Sequence, residues 1–87
     1  MAVPFWISSL LVSQRTYEKI SNRHGLRVND LREALECRPG LRGTREQTER
    51  GPRLYVHLQI ERERVLAVLV PHEYEVDVYY LASAYRP

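Results

Sequence analysis

The sequence predicts an α+β domain in which two N-terminal helices pack on an antiparallel β-sheet meander. The stretch from Arg53 to Tyr85 has the pattern of three strands joined by two short polar turns. From Leu54 to Ile60, aliphatic and polar side chains alternate, which is the period of a half-buried strand. Such a meander leaves one face that needs cover, and only the upstream sequence can supply it. We therefore expect residues 1–87 to form a single domain.

The chain opens with an apolar segment, Val3 to Val12, which we expect to be a strand that leads into a helix. The segment has no charged leader and is much shorter than the roughly twenty apolar residues of a membrane span. We therefore predict neither a signal peptide nor a membrane helix. The only cysteine is Cys37, which rules out a disulfide within the chain and suits a reducing compartment. These features favour a cytoplasmic protein.

Two helices are predicted between this segment and the polar middle of the chain. Ser13 is a plausible N-cap for the first helix, and Gly25 is the residue that ends it. The second helix is expected from about Asn29, capped by Asn29 or Asp30, and Pro39-Gly40 stops it. Their apolar stripes are the predicted cover for the sheet.

The remaining segments are assigned by polarity and turn chemistry. Leu41 to Pro52 is polar and is either an edge strand or an irregular loop. Val65 to Val70 is apolar at every position, as expected of a central strand. The charged tip from Glu61 to Arg64 contains no glycine, which favours a longer turn. In the last strand, the alternation from Val76 to Tyr85 places Tyr80 on the face opposite Tyr79.

Charge is divided unevenly along the chain. Basic residues outnumber acidic ones between positions 14 and 53, and acidic residues outnumber basic ones after position 53. The basic half consists almost entirely of arginine, whose guanidinium is shaped for bidentate contact with phosphate. A solvated, arginine-rich helix surface is the alternative interpretation of the same pattern.

The sequence lacks the patterns that hold cofactors and metals. It contains no glycine-rich phosphate loop, no paired cysteines and no cluster of His, Asp and Glu at metal-ligand spacing. No serine lies in a nucleophile motif. We therefore expect any chemistry to need neither a metal nor a cofactor.

Several short motifs occur in a recognisable order. They are Lys19 to Leu26, which ends in Arg-His-Gly-Leu, then Leu31 to Leu35, then Glu49-Arg50, and finally Ala82 to Arg86. In this order the chain resembles the BrnT-type toxins, which belong to the RelE-like ribonucleases of type II toxin–antitoxin systems. The resemblance extends from about Ser13 to Arg86. It implies a small α+β domain that cleaves RNA and is neutralised by a cognate antitoxin.

Residue type and strand phase suggest a site for such a reaction. Cleavage of RNA through its 2′-hydroxyl needs a base, an acid and cations that stabilise the negative charge of the phosphorane. Glu49 or His57 is the candidate base, and Tyr85 or His57 is the candidate acid. The candidate phosphate-binding residues are Arg45, Arg50, Arg53 and Arg86. We expect these side chains to converge on one face of the sheet.

A second function class fits the same scaffold. Members of the toxin family carry an arginine where this chain has Tyr85, and Arg86 follows one position later. The chain is therefore alternatively a non-catalytic module that binds protein or RNA, and a homodimer is compatible with its small core. Some similar small bacterial proteins are described as ADP-ribosyl-protein hydrolases, but no residue pattern here predicts that chemistry.

Overall fold

The computed structural model describes residues 2–87 as two helices and one six-stranded mixed sheet, which confirms the predicted α+β class. In chain order the elements are β1 (Ala2–Pro4), β2 (Ser9–Leu11), α1 (Gln14–His24), α2 (Val28–Leu35), β3 (Arg42–Thr48), β4 (Gly51–Ile60), β5 (Glu63–Pro71) and β6 (Val78–Tyr85). Within the described residues, no helix is both long and apolar enough to cross a membrane.

The strands follow the order β1-β3-β4-β5-β6-β2 across the sheet. Strands β3 to β6 form the antiparallel meander, with β5 in the predicted central position. The opening segment supplies both edges, because β1 pairs antiparallel with β3 and β2 pairs parallel with β6. The prediction of a purely antiparallel sheet of three to five strands is therefore wrong. The polar segment around Thr44 is a strand, but β1 keeps it from being the edge.

The sheet is strongly curled. Pro4 and Ser9 lie in strands on opposite edges, yet five residue steps reach at most about 18 Å. A flat sheet would separate these edge strands by about 24 Å. The connecting segment also bonds to both sides, from Phe5 N to Leu41 O (3.1 Å) and from Ser8 N to Asp77 O (2.8 Å). The curl creates a concave side, and the core lies there.

The first helix begins and ends as the sequence predicts. Ser13 is its N-cap and accepts a hydrogen bond from Thr16 N (3.2 Å). Gly25 follows in the left-handed region at φ 62°, and the backbone amides of Gly25 and Leu26 both donate to Ile20 O (3.2 Å from Leu26 N).

The second helix differs from its prediction at its start. It begins at Val28 after Arg27, and no side chain caps it, so the expected caps Asn29 and Asp30 lie inside the helix. Both helices lie between β2 and β3 in the chain and therefore do not precede the whole sheet. Helix α1 packs against β6, and α2 packs against β4.

A single cluster joins the helices to the concave side of the sheet. It buries side chains from the connecting segments, both helices, strand β2 and strands β4 to β6. Its largest fully buried members are Ile7, Leu10, Ile20, Leu31, Leu35, Val56, Val65 and Leu69. This cluster leaves the opposite, convex face of the sheet without cover.

Two local features set which side chains reach each face. The β4–β5 turn contains only Glu61 and Arg62, both at positive φ (49° and 69°), so the longer turn predicted for this tip is wrong. In β6 the register shifts by one residue opposite Val68 and Leu69. This bulge leaves Ala82 unpaired, and Lys19 Nζ donates to its carbonyl oxygen (3.2 Å).

Candidate nucleic-acid interface

The uncovered, convex side of strands β4 to β6 is called the open face here. Its side chains are half-buried or exposed, in contrast to their fully buried sequence neighbours on the concave side. The open face includes Arg53, Tyr55, His57, Gln59, Arg64, Leu66, Val68, Val70, Tyr80, Ser83 and Tyr85. It therefore combines aromatic, aliphatic and cationic groups on one accessible surface.

An apolar strip runs along the middle of the open face. Leu66, Val68 and Val70 of β5 are only half-buried, whereas their neighbours Ala67 and Leu69 are completely buried. The strand is apolar at every position from Val65 to Val70, but the helices cover only one of its sides. A partly exposed apolar strip bordered by polar side chains is typical of a binding surface.

Two predicted catalytic residues lie in one cross-strand row. His57 is opposite Leu66, and Leu66 is opposite Tyr85, so all three point to the open face. Two strand spacings separate the backbones of His57 and Tyr85 by about 10 Å. That gap leaves room for a ribose–phosphate unit above Leu66. These three residues are called the His57–Tyr85 row below.

Tyr55 lies two residues before His57 on the same face and was not among the predicted catalytic residues. Its hydroxyl donates a hydrogen bond to Glu46 Oε1 (3.3 Å). Desolvation on the sheet, followed by the negative charge of Glu46 and this hydrogen bond, raises the pKa of the phenol above its usual value of 10.0. Tyr55 is therefore a protonated hydrogen-bond donor at neutral pH. Its shared strand phase with His57 is the sequence signal that could have identified it.

Arg53 is the predicted phosphate-binding residue that lies on the open face. It is paired with Glu46 across the β3–β4 ladder, but its guanidinium hydrogen bonds only to the carbonyl oxygen of Pro52 (3.0 Å) within residues 2–87. No carboxylate of the described chain forms an ion pair with it. Its charge is therefore available to an anion.

Arg86 is near the row, but its guanidinium is already engaged. It forms an ion pair with Glu63 and donates to the carbonyl oxygen of His24 at the end of α1. The His24 ring lies 6.1 Å from the ring of Tyr85, centroid to centroid. In this arrangement Arg86 ties the helix end to the strand that carries Tyr85, and it brings His24 to the border of the row.

Glu49 and Arg50 do not join the other predicted site residues. They form the exposed turn between β3 and β4, because β3 continues to Thr48 instead of ending in a loop. Seven residue steps separate Arg50 from His57, a distance of about 23 Å along the strand. The expected convergence on one face is therefore wrong for Glu49 and Arg50. Glu49 is too far from Tyr85 for the two side chains to act as base and acid on the same phosphodiester.

Arg45 points to the other side of its strand, where the concave surface opens to solvent. It is opposite Leu54 in the ladder and lines a cleft of about 220 Å³. This end cleft, as it is called below, is lined by Arg45, Glu46, Gln47, Pro52, Arg53, Leu54, Pro71 and Tyr79. Of the predicted phosphate-binding arginines, Arg45 and Arg53 therefore lie at the end cleft, whereas Arg50 and Arg86 lie elsewhere.

Within residues 2–87, no group of three or more His, Cys, Asp and Glu side chains is placed to hold a metal ion. Comparison of the chain with protein-family models, curated proteins and solved structures gave no match. The resemblance to BrnT-type toxins therefore rests on the sequence motifs alone.

Proposed function

We propose that this protein is the toxin of a type II toxin–antitoxin pair and that it binds and cleaves single-stranded RNA on its open face. The observation that carries the proposal is the partly exposed apolar strip of β5, which is flanked by Tyr55 and His57 on one side and Tyr85 on the other. A neutralising antitoxin and RNA of the cytoplasm are the partners that this proposal implies.

The composition of the open face favours single-stranded RNA as the ligand. Unpaired bases expose flat surfaces that stack on aromatic and histidine side chains, and cations bind the adjoining phosphates. The open face offers Tyr55, His57 and Tyr85 for stacking, with Arg53 beside them, whereas the Tyr80 ring already stacks on His72 (5.4 Å between ring centroids). Duplex RNA hides its bases and would leave the apolar strip unused.

The His57–Tyr85 row can carry out transesterification at a ribose. Neutral His57 takes the proton from the 2′-hydroxyl, and the 2′-oxygen forms a new bond to phosphorus. The bond from phosphorus to the 5′-oxygen of the next nucleotide then breaks, and Tyr85 gives its proton to that oxygen. The products are a 2′,3′-cyclic phosphate and a free 5′-hydroxyl. Proton transfer from the protonated imidazole to Tyr85 restores both groups.

Tyr55 and Arg53 supply the remaining electrostatic role. The protonated phenol of Tyr55, two residues from His57, can donate to the non-bridging oxygens, where negative charge grows in the transition state. Arg53 lies four residues from His57, about 13 Å along β4, so its guanidinium can bind a neighbouring phosphate of the same RNA strand. Arg86 acts indirectly, because its bonds to Glu63 and to the His24 carbonyl hold the strand that carries Tyr85.

An antitoxin that covers the open face would block this reaction. The face has aromatic and aliphatic side chains for a buried contact, and Arg53 provides a positive charge that an acidic partner complements. We therefore expect RNA and antitoxin to compete for the same surface.

The test uses the purified protein with end-labelled single-stranded RNA. We expect His57→Ala to slow cleavage by about 10²- to 10⁴-fold, the usual contribution of a general base, and Tyr85→Phe to slow it comparably. Glu49→Gln and Arg50→Ala are the matched controls, because their side chains lie at the distant turn and should leave the rate unchanged. Equal losses at the row and at the turn would contradict the proposed site.

Binding without cleavage is the second candidate function. It is favoured by the separation of Glu49 and Arg50 from the row, which leaves the open face with fewer groups for chemistry than the sequence predicted. RNA that is bound and protected, but released intact by the wild-type protein, would support this function. Normal growth of bacteria in which the protein is expressed would agree with it, whereas growth arrest relieved by His57→Ala would support the ribonuclease.

A further inference from the structure

The end cleft has apolar walls that remain open to solvent. Leu54, Pro52, Pro71 and Tyr79 enclose a volume of about 220 Å³, roughly the share of seven water molecules in the liquid. That volume fits one flat heteroaromatic ring system and is too small for a polypeptide helix. Leu54 and Tyr79 also belong to the core cluster, so the cleft lies against the edge of the core, and the helices cover the other end of the concave side.

Tyr79 places an unused polar group in this apolar wall. Its residue is only 7% exposed, and its hydroxyl has no hydrogen-bond partner among residues 2–87. Within residues 2–87, every side-chain nitrogen or oxygen atom that is inaccessible to solvent has a hydrogen-bond partner. Because the Tyr79 hydroxyl has none, it must be accessible to solvent. Because Tyr79 lines the end cleft, its hydroxyl can bond to a ligand held there.

The border of the end cleft is positively charged. The Arg45 side chain has no hydrogen-bond or ion-pair partner in residues 2–87, and Arg53 bonds only to a backbone carbonyl. Glu46 also lines the cleft, and its carboxylate accepts a bond from Tyr55, so the two arginines leave the lining with a net positive charge. Gln47, which also lines the cleft, has a free side-chain amide in the described chain. An aromatic ligand with an anionic group matches this combination.

We infer that the end cleft takes one nucleobase of the bound RNA and that Arg45 and Arg53 hold the adjoining phosphate. The inference rests on the proposed RNA-binding function and extends it to a site of base selection. The base would lie between the leucine and proline walls, and the Gln47 amide and the Tyr79 hydroxyl would bond to its edge. Amide side chains are suited to such bonds because they donate and accept.

The path of the RNA supports this assignment. Arg53 lines the end cleft and also belongs to the open face. It lies four residues from His57 along β4, a distance of about 13 Å. A strand of RNA whose reactive phosphate lies at the His57–Tyr85 row can therefore pass Arg53 and place a base a few nucleotides away in the cleft. The cleft would then decide where along the RNA the row acts.

The test measures the affinity of short RNA oligonucleotides in which one position at a time is abasic. In the wild type, we expect one position, displaced from the scissile one, to lose about tenfold in affinity when its base is removed. Gln47→Trp, which fills the cleft with an exposed strand residue, should abolish the dependence on that position. Arg45→Ala should weaken binding of every oligonucleotide, and Arg15→Ala on α1 is the matched control that removes an equal charge elsewhere.

A second measurement separates this inference from the proposed function. Nucleoside monophosphates are titrated into isotope-labelled protein, and shifts in the Leu54 and Tyr79 resonances are followed. If RNA binds, but no single abasic position lowers the affinity and Gln47→Trp leaves the affinity unchanged, the base site is refuted. RNA binding on the open face would remain supported. If RNA fails to bind while monophosphates shift both residues, the proposed function is refuted, and the cleft is a site for a free nucleotide and not for a base of RNA. Shifts caused only by an acidic, aromatic peptide would assign the cleft to a protein partner and overturn the inference.

Discussion

The two faces of strand β4 differ completely in what they contact. Leu54, Val56 and Leu58 point into the core and are at most 9% exposed. Their neighbours Tyr55 and His57 point to the open face, where no element of the described chain covers them. One strand therefore carries a face that stabilises the domain and a face that is free to bind. The consequence of a substitution here depends on which side of the sheet it lies, more than on its position along the chain.

The sharpest test of this comparison uses two neighbouring residues of β5. Leu69 is completely buried, whereas Val68 lies on the open face. We expect Leu69→Ala to lower the free energy of unfolding by about 3 kcal/mol, because it removes apolar contacts and leaves a cavity. Val68→Ala should cost less than about 1 kcal/mol. Urea denaturation followed by circular dichroism measures both, and similar losses would mean that the open face is covered in solution.

The face to which each side chain points could be predicted where it depends only on neighbouring residues in the sequence. The pattern from Leu54 to Ile60 gave the correct faces, and the ends of α1 were correct at Ser13 and Gly25. Both signals depend on residues within one turn or one strand. In β6 the alternation correctly separated Tyr79 from Tyr80, but it implied a common face for Tyr79 and Tyr85, which lie on opposite faces because the bulge at Ala82 changes the phase between Leu81 and Ser83.

The sheet edges and the candidate site depended on pairing between distant parts of the chain. The opening segment was expected to be one strand, but it divides into β1 and β2 because the curled sheet brings both edges within its reach. The same pairing extends β3 to Thr48 and moves Glu49 and Arg50 to a distant turn. His57 and Tyr85 could be assigned to one face by phase, but only the ladder through Leu66 makes them neighbours.

A smaller effect is expected at the β4–β5 turn, which determines the side chains that each of these strands presents to the two faces of the sheet. The two-residue β4–β5 turn fixes the register of both strands, and a slip by one residue would exchange their faces. Glu61 and Arg62 both adopt positive φ, a conformation that asparagine and glycine adopt at lower cost. We expect the double substitution Glu61→Asn and Arg62→Gly to raise the free energy of unfolding by about 1 kcal/mol.

The β3–β4 turn provides the matched control for this change. Glu49 and Arg50 have no positive φ, so Glu49→Asn with Arg50→Gly should give no gain and can cost up to about 1 kcal/mol of backbone entropy. Thermal and urea denaturation measure both variants under the same conditions. An equal gain at both turns would show that the effect comes from the loss of charge and not from the backbone conformation.

The smallest expected effect concerns the ionisation of Tyr55 on the open face. Because desolvation and Glu46 raise the pKa of Tyr55, its phenol should ionise at higher pH than an unperturbed tyrosine. Ionisation is disfavoured in the folded state, so the linked stabilisation is fully present below pH 10.0 and is lost as the pH rises through the higher, folded-state pKa. Ultraviolet difference titration should show a late-titrating phenol that is absent in Tyr55→Phe and titrates earlier in Glu46→Gln. Glu18→Gln, which removes a carboxylate from α1, should leave the curve unchanged. If the titration curves of Glu46→Gln and the wild type superimpose, the hydrogen bond between Tyr55 and Glu46 does not persist in solution. Tyr55 could then donate to a phosphate without first breaking that bond.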